Sequence, residues 1–483
     1  MKRPPFHSAK RFAAIAANVK IRRMNIMLKK YRLVFLALLA PVLSHAQQTD
    51  TLLGLKGAIQ LSLKNSKQLK MSGAKVEQAA AALAVSKNEQ LPNLSVSGAY
   101  YYLTKPNINI SPDLSGNNND DNSSGDDHSG SSGSSFPNVH QAVYGMLSAS
   151  VPVFSGGKIT NGIKSNQYLV EAAKLDVNGS REQIIQNTIE AYCNLYKAIA
   201  TVRLVQENLA TEKQRVKDFQ NMEANGIIAR NDLLKAELQQ SNVELSLLDA
   251  ENNRKIANYN FNIMLGLNDS NTIHIDSTDI MNEPSIQGID ELESLARTNR
   301  FDYLALMDRQ KAAEYNTKVV KGNEYPSLAF SGGYIAADIP KALSMYNVVN
   351  IGVGLSYDLG SLYKNNAKVR QAKAQEAILK ASQEQLDDDI HTQIYSAYNN
   401  YFEALKKIDV YKVAIAQAEE NYRITKNKYD NALETTTNLL DADVALLQAR
   451  INYEYARADA AVAYNKIYET VGVLNKRVNN TLQ

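Results

Sequence analysis

The chain has 483 residues, a formal net charge of only +3, a single cysteine, 26 tyrosines and no tryptophan. That length accommodates two or three ordinary domains or one long repetitive one. The balanced charge, with no basic stripe interleaved with aromatics, gives no footprint for nucleic acid. One cysteine excludes an internal disulfide, and Cys193 reads as a buried thiol on a helix, far from any lipid-acceptor position.

At the N-terminus the apolar run from Leu33 to Leu43 follows Lys29, Lys30 and Arg32 and ends in Ser44-His45-Ala46, a small-x-small cleavage signal. About 11 apolar residues are too few to span a bilayer as a helix, so the run is expected to be a cleaved secretory signal peptide. Residues 1–46 are therefore read as an upstream extension plus signal peptide. Translation is expected to start at Met24 or Met27, and the mature chain to begin near Gln47. No later segment has the length and hydropathy of a transmembrane helix, so a membrane role falls to β-strands.

The first strand signal is Leu94, Val96, Gly98, Tyr100 and Tyr102, alternating with mostly small or polar residues. Its return strand carries Val143, Gly145, Leu147, Ala149, Val151 and Val153 against Tyr144, Ser148 and Ser150. Between them lies a polar, low-complexity stretch, about 104–141, expected to be a long extracellular loop. Asp120, Asp121, Asp126 and Asp127 in it could hold calcium weakly, but they read first as part of a disordered, solvated loop. After residue 153 proline vanishes up to residue 283 and the period changes. Ala191, Leu195, Ala198, Val202, Val205, Leu209, Glu212, Val216 and Phe219 recur in steps of three and four, the seam of a coiled coil. A break at Asn225-Gly226 precedes a second seam, Ala236, Val243, Leu247, Ala250, Ala257, Phe261 and Met264. A stripe of Leu234, Leu238, Leu245 and Leu248 lies beside it, as on a helix packed on both flanks. Residues 164–224 predict a helix of roughly 90 Å.

Beyond a linker at 267–283, the pattern starts again. Adding 206 maps Ala191-Tyr192 onto Ala397-Tyr398, Asn194 onto Asn400, Leu233-Leu234 onto Leu439-Leu440 and Gly266 onto Gly472. Upstream the offset is 234, with Asn65 on Asn299, Pro92 on Pro326, Gly98 on Gly332 and Tyr100 on Tyr334. The chain is thus an internal duplication, repeat 1 at 47–266 and repeat 2 at 284–475 with a tail at 476–483. The two copies differ chiefly by the long loop. The second copy supplies strands through Leu328, Phe330, Gly332 and Tyr334, then Val349, Ile351, Val353, Leu355, Tyr357 and Leu359. It also supplies the seam Ala397, Tyr401, Ala404, Ile408, Tyr411, Ile415, Ala418, Tyr422, Thr425 and Tyr429.

Four strands of about ten residues have the length to cross a bilayer but cannot close a barrel, since small barrels begin at about eight strands. Open edges in lipid would leave backbone groups unpaired at several kcal/mol each. Several protomers must then contribute: two give eight strands and a filled interior, three give twelve and a hollow one. Taken alone, two hairpins also fit a soluble sandwich. No enzyme constellation accompanies them. His128, His140, His274 and His391 lack metal-ligand spacing, and no phosphate loop or nucleophile elbow occurs. The Asp387–Asp389 run reads first as solvated helix surface. No metal or cofactor is expected.

With its order of elements and the markers Leu91-Pro-Asn-Leu-Ser-Val-Ser-Gly98, Val151-Pro-Val-Phe-Ser-Gly-Gly-Lys158, Asn231-Asp-Leu-Leu234 and Asn438-Leu-Leu-Asp441, the sequence resembles the TolC outer-membrane factor family. The resemblance covers nearly the whole mature chain. It implies a mainly α fold with a β-barrel portion: a homotrimer with a twelve-stranded transmembrane β-barrel, continued by a twelve-helix periplasmic coiled-coil α-barrel. The implied role is a passive export duct, not an enzyme. It would sit in outer-membrane lipid and meet an inner-membrane transporter through a periplasmic adaptor (membrane fusion) protein. Adaptor contact is carried over to the two helix–helix turns, at Gly226, Ile227 and Ile228 and at Ala432 and Leu433. The pore constriction is carried over to Asp232, Tyr429, Glu434, Asn438 and Asp441. Glu434 stands where the family has an arginine and Asn438 where it has an aspartate, so the family's Arg–Asp clamp cannot form there. Asp232 and Asn438, each before an apolar helical run, read equally as helix N-caps, whereas Asp441 lies inside its helix. The competing reading from another class is a non-pore periplasmic coiled-coil structural protein, which would have no need of four bilayer-length strands.

Overall fold

The structure is a computed structural model that describes residues 51–104, 140–276, 285–340 and 343–480. The signal peptide, the proposed mature start, most of the long loop with its four aspartates, and part of the linker lie outside these residues. In chain order the elements are β1 (Thr51–Leu53), α1 (Leu55–Asn65), α2 (Lys67–Asn88), β2 (Asn93–Tyr102), β3 (Gln141–Phe154), α3 (Lys158–Ala224), α4 (Arg230–Leu265) and β4 (Ile273–Ile275). They continue with α5 (Ile289–Asn299), α6 (Phe301–Lys321), β5 (Ser327–Ile339), β6 (Leu343–Ser356), α7 (Ser361–Asp430), α8 (Thr436–Thr470) and α9 (Leu474–Asn480). The same succession of helix, helix, strand, strand, long helix and shorter helix thus occurs twice.

The helix α3 starts six residues before the expected Lys164, at Lys158. Gly156 and Gly157, both with positive φ, turn the chain directly out of β3. At Gly156 a Cβ would come within 2.3 Å of the Gly322 carbonyl oxygen, so the turn needs glycine there on two counts. At 67 residues α3 has a contour of roughly 100 Å. The expected strand through Leu359 ends earlier, at Ser356. Asp358 Oδ1 accepts the Gly360 N–H at 2.9 Å and bends the backbone away from extended geometry, so Tyr357 and Leu359 lie past the strand.

Two compact units divide the chain. Among the described residues one comprises 51–61, 191–276 and 418–451. In it β1 and β4 pair in parallel, and Tyr192 donates from its hydroxyl to the carbonyls of Leu53 and Asp276 at 3.3 and 3.0 Å. Tyr192 also meets Phe261 edge-on. The seams of α3 and α4 close on each other there, with Val205 and Leu209 against Val243. Glu212 lies buried within the same α3 seam.

The other unit comprises, among the described residues, those within 62–190, 285–417 and 452–480. It contains the antiparallel sheet, in the order β2-β3-β5-β6. The register decides what this sheet is. Leu94 pairs with Ala149, Ala149 with Gly332 and Gly332 with Ile351. Val96, Leu147, Tyr334 and Val349 form the next row on the same face, and Val151, Phe330 and Val353 another. Opposite them run Ser95, Ser148, Gly333 and Asn350, and Asn93, Ser150, Ser331 and Gly352. One face is therefore apolar across all four strands and the other is mainly small and polar. The apolar face is bare: Val96 is 82% and Ile351 87% exposed. Among the described residues β2 and β6 each have one edge without a partner strand. Helices α7 and α8 pack in this unit through Ala404, Ile408, Ala456 and Ala460.

Candidate functional site

The two helix–helix turns fall in the first unit, and the duplication makes them nearly superposable in hydrogen bonding. At the end of α3 the Gly226 N–H reaches the Glu223 carbonyl at 2.9 Å and the Ile227 N–H the Met222 carbonyl at 2.9 Å. At the end of α7 the Ala432 N–H reaches the Tyr429 carbonyl at 2.9 Å and the Leu433 N–H the Lys428 carbonyl at 2.8 Å. Both are left-handed caps of the Schellman kind, which satisfy the last carbonyls of a helix and need positive φ at one residue. That residue is Gly226 in one copy, at φ 65°, and Ala432 in the other, at φ 59°. The residue after each cap juts into solvent, Ile227 at 67% and Leu433 at 75% exposure. Ile228 instead turns inward against Val216, Phe219, Leu233 and Ala236.

The N-cap reading of the two polar residues does not hold. The residue preceding α4 is Ala229, which offers no side-chain cap, and Asp232 sits in the first turn instead. There its charge faces the positive end of the helix dipole, and Lys235 Nζ lies 3.4 Å from its Oδ1. Lys235 also donates to Thr437 Oγ1 at 3.2 Å. For α8 the cap is Thr435, whose Oγ1 accepts the Asn438 N–H at 3.2 Å. Asn438 points its amide back to Glu434, donating to Oε1 at 2.5 Å. Asn438 and Glu434 therefore bond to each other within one turn. The Asn438 amide and the Thr435 N–H hold the Glu434 carboxyl below the usual range. Tyr429 stacks on Phe219 at 5.6 Å, and burial pushes its hydroxyl above the ordinary tyrosine range. Asp441 is exposed, so its carboxylate faces away from the packed helices.

Two residues beyond it, Asp443 is buried. Its Oδ2 accepts from Arg215 at 3.0 Å and from the Asn208 amide at 3.2 Å. Arg215 also donates to Glu212 Oε1 and to the Tyr422 hydroxyl. No pattern in the sequence groups these five residues. The available signal was Glu212, a carboxylate in an otherwise apolar seam, with an arginine three residues on. Beside Asp443 a cavity of about 300 Å³ opens among α3, α7 and α8, lined by Glu207, Thr211, Glu419, Leu446 and Arg450. Among the described residues no group of His, Cys, Asp or Glu has metal-binding geometry, and no helix is long and apolar enough to cross a membrane.

This architecture has known relatives. The chain is 22% identical over 323 residues to the outer membrane efflux protein BepC of Brucella suis, which covers 66% of this chain and 70% of that one. It is 24% identical over 310 residues to the outer membrane protein TolC of Vibrio cholerae, covering 62% and 69% respectively. Among solved structures the CmeC outer membrane channel of Campylobacter jejuni superposes with a TM-score of 0.69, at 19% identity over 91% of this chain and 93% of that one. CusC superposes with a TM-score of 0.71, at 16% identity over 89% and 95%. The model of the outer membrane efflux protein family matches residues 58–267 and again 292–473, once in each half. A sheet with one apolar face, two capped helical hairpins and two successive family matches lead to one conclusion: the chain belongs to the outer membrane efflux protein family.

Proposed function

We propose that this chain is one subunit of a homotrimeric export duct in the outer membrane, serving a tripartite efflux or type I secretion system. The observation that carries the reading is the sheet register, which gathers Leu94, Val96, Leu147, Val151, Phe330, Tyr334, Val349, Ile351 and Val353 on one exposed face. Strands of 10 to 14 residues match the thickness of a bilayer when tilted. An apolar outer and polar inner face is what a water-filled barrel in lipid requires, and a non-pore coiled coil has no use for it. Four strands with two open edges need further copies, and three supply a twelve-stranded hollow barrel. The helical hairpins then extend the duct through the periplasm. Their turns, with Ile227 and Leu433 outermost, meet a periplasmic adaptor that links the duct to an inner-membrane transporter. In the trimer Asp441, together with Asp232, Tyr429, Glu434 and Asn438, lines the narrow entrance.

The duct is passive. Its chemistry is that of a ring of charges in a narrow, poorly solvated passage, which attracts and retains cations. Mature protein reconstituted into planar bilayers is expected to give step-like conductance and a heat-sensitive trimer on gels. Asp441→Asn is expected to weaken block by divalent cations several-fold. A water-soluble monomer without conductance overturns the duct, and an unchanged block removes Asp441 from the passage.

A further inference from the structure

Arg215 and Glu212 on α3, Asp443 on α8 and Tyr422 on α7 form one buried ionic cluster. It joins the long helix of the first half to both helices of the second. The duplication does not repeat it. Residues 206 away are Ala418 for Glu212, Asn421 for Arg215, Glu237 for Asp443 and Val216 for Tyr422. The equivalent junction therefore has neither the cation nor the tyrosine.

The composition of the cluster is costly for a mere structural joint. Apolar residues of similar volume hold helices together at least as well as a buried ion pair. Here two carboxylates face one guanidinium, and one oxygen of Glu212 is buried without a hydrogen bond among the described residues. Two buried negative charges on a single positive charge are one too many, so the neutral arrangement keeps a proton on one carboxyl. Glu212 is that group. Burial, reinforced by Asp443, raises its carboxyl to about 8, while Arg215 opposes the rise. The other charged groups nearby do not compensate. Glu419 is paired with Arg450 at 2.7 Å and Lys213 with Glu244 at 3.6 Å, both in solvent, and Glu207 adds another negative charge.

We propose that the Arg215–Glu212–Asp443 cluster is a proton-dependent tie within each subunit, which holds α3 against α7 and α8 and thereby sets how readily the duct conducts. The inference rests on the duct reading above. When the tie is closed Glu212 is protonated, and when it loosens Glu212 meets water and returns to the ordinary 4.5. The closed form then binds one more proton than the loosened form between these limits. Its advantage is complete below about 4.5, falls by about tenfold in equilibrium constant per pH unit, and is lost once pH passes about 8. Removing the proton loosens the tie, and Arg215 stays charged throughout.

The test is single-channel conductance of the full mature protein in planar bilayers, titrated from about pH 5 to about pH 9. Wild type is expected to conduct more as pH rises and to level off near pH 8. Glu212→Gln, which keeps the hydrogen-bonding shape and cannot ionise, is expected to stay at the low acid level throughout. Asp443→Asn removes the charge that reinforces the proton on Glu212, so its rise is expected at lower pH than in wild type. Conductance that ignores pH in wild type, or a Glu212→Gln channel that keeps the wild-type rise, overturns the tie while leaving the duct intact. If Glu212→Gln does not assemble, an unmoved midpoint in Asp443→Asn overturns it equally. Absence of conductance at every pH overturns the duct reading and the tie with it.

Discussion

Ala432 is held at φ 59° by the same cap that gives Gly226 φ 65° in the other half. An L-residue with a Cβ is strained in that region by roughly 1–2 kcal/mol, partly offset by glycine's greater freedom when unfolded. Ala432→Gly is therefore expected to raise stability by about 0.5–1 kcal/mol, read as a higher denaturation midpoint. The reverse change behaves oppositely at Gly472, which ends α8 in a left-handed cap of the same kind. Gly472 has φ 75°, and a Cβ there would lie 2.9 Å from the Asn299 carbonyl oxygen and from the Arg300 Cα, both backbone atoms. Gly472→Ala should lower stability by more than about 1 kcal/mol. If both substitutions have the same sign, the left-handed caps are not what distinguishes these sites.

At the scale of elements, the helices were legible because the apolar steps of three and four run for whole helices. Every residue of the α7 seam from Ala397 to Tyr429 is at least half-buried, as the spacing predicts. The strands were equally plain in period, but their ends were not, since Asp358 stops β6 through a local hydrogen bond that no alternation announces. Around the residues proposed for the entrance, local hydrogen bonding was legible only in part. By its place before an apolar helical run Asn438 is a candidate N-cap, whereas Thr435 does the capping and leaves the Asn438 amide to Glu434. Three consecutive threonines at 435–437 hid which hydroxyl would cap. Asp443 escaped because α8 has apolar residues on several flanks, so no single seam singles out its buried side. Thr435→Ala is expected to cost about 1 kcal/mol, with faster amide exchange confined to the first turn of α8. Unchanged exchange there would remove the capping role.

For the whole molecule the decisive pattern is apolar surface left uncovered by one chain. Besides the apolar sheet face, Leu238, Leu245 and Leu248 on α4 are 61–64% exposed, a second flank beside the buried seam. In the proposed trimer this flank meets a neighbouring subunit. Leu245→Lys is expected to lower the dissociation temperature of the trimer on gels by several degrees, while leaving each subunit helical by circular dichroism. A trimer as heat-resistant as wild type would place that flank elsewhere.

The bare edges of β2 and β6 carry a further implication, for biogenesis. In the proposed trimer a lone subunit cannot dwell in lipid with two rows of unsatisfied amides, so its hairpins are expected to wait outside the bilayer until neighbours arrive. On that proposal, the step that commits the protein to the bilayer is an encounter between chains. Its yield should rise steeply with concentration during refolding into vesicles, whereas single-chain barrels insert at a rate indifferent to dilution.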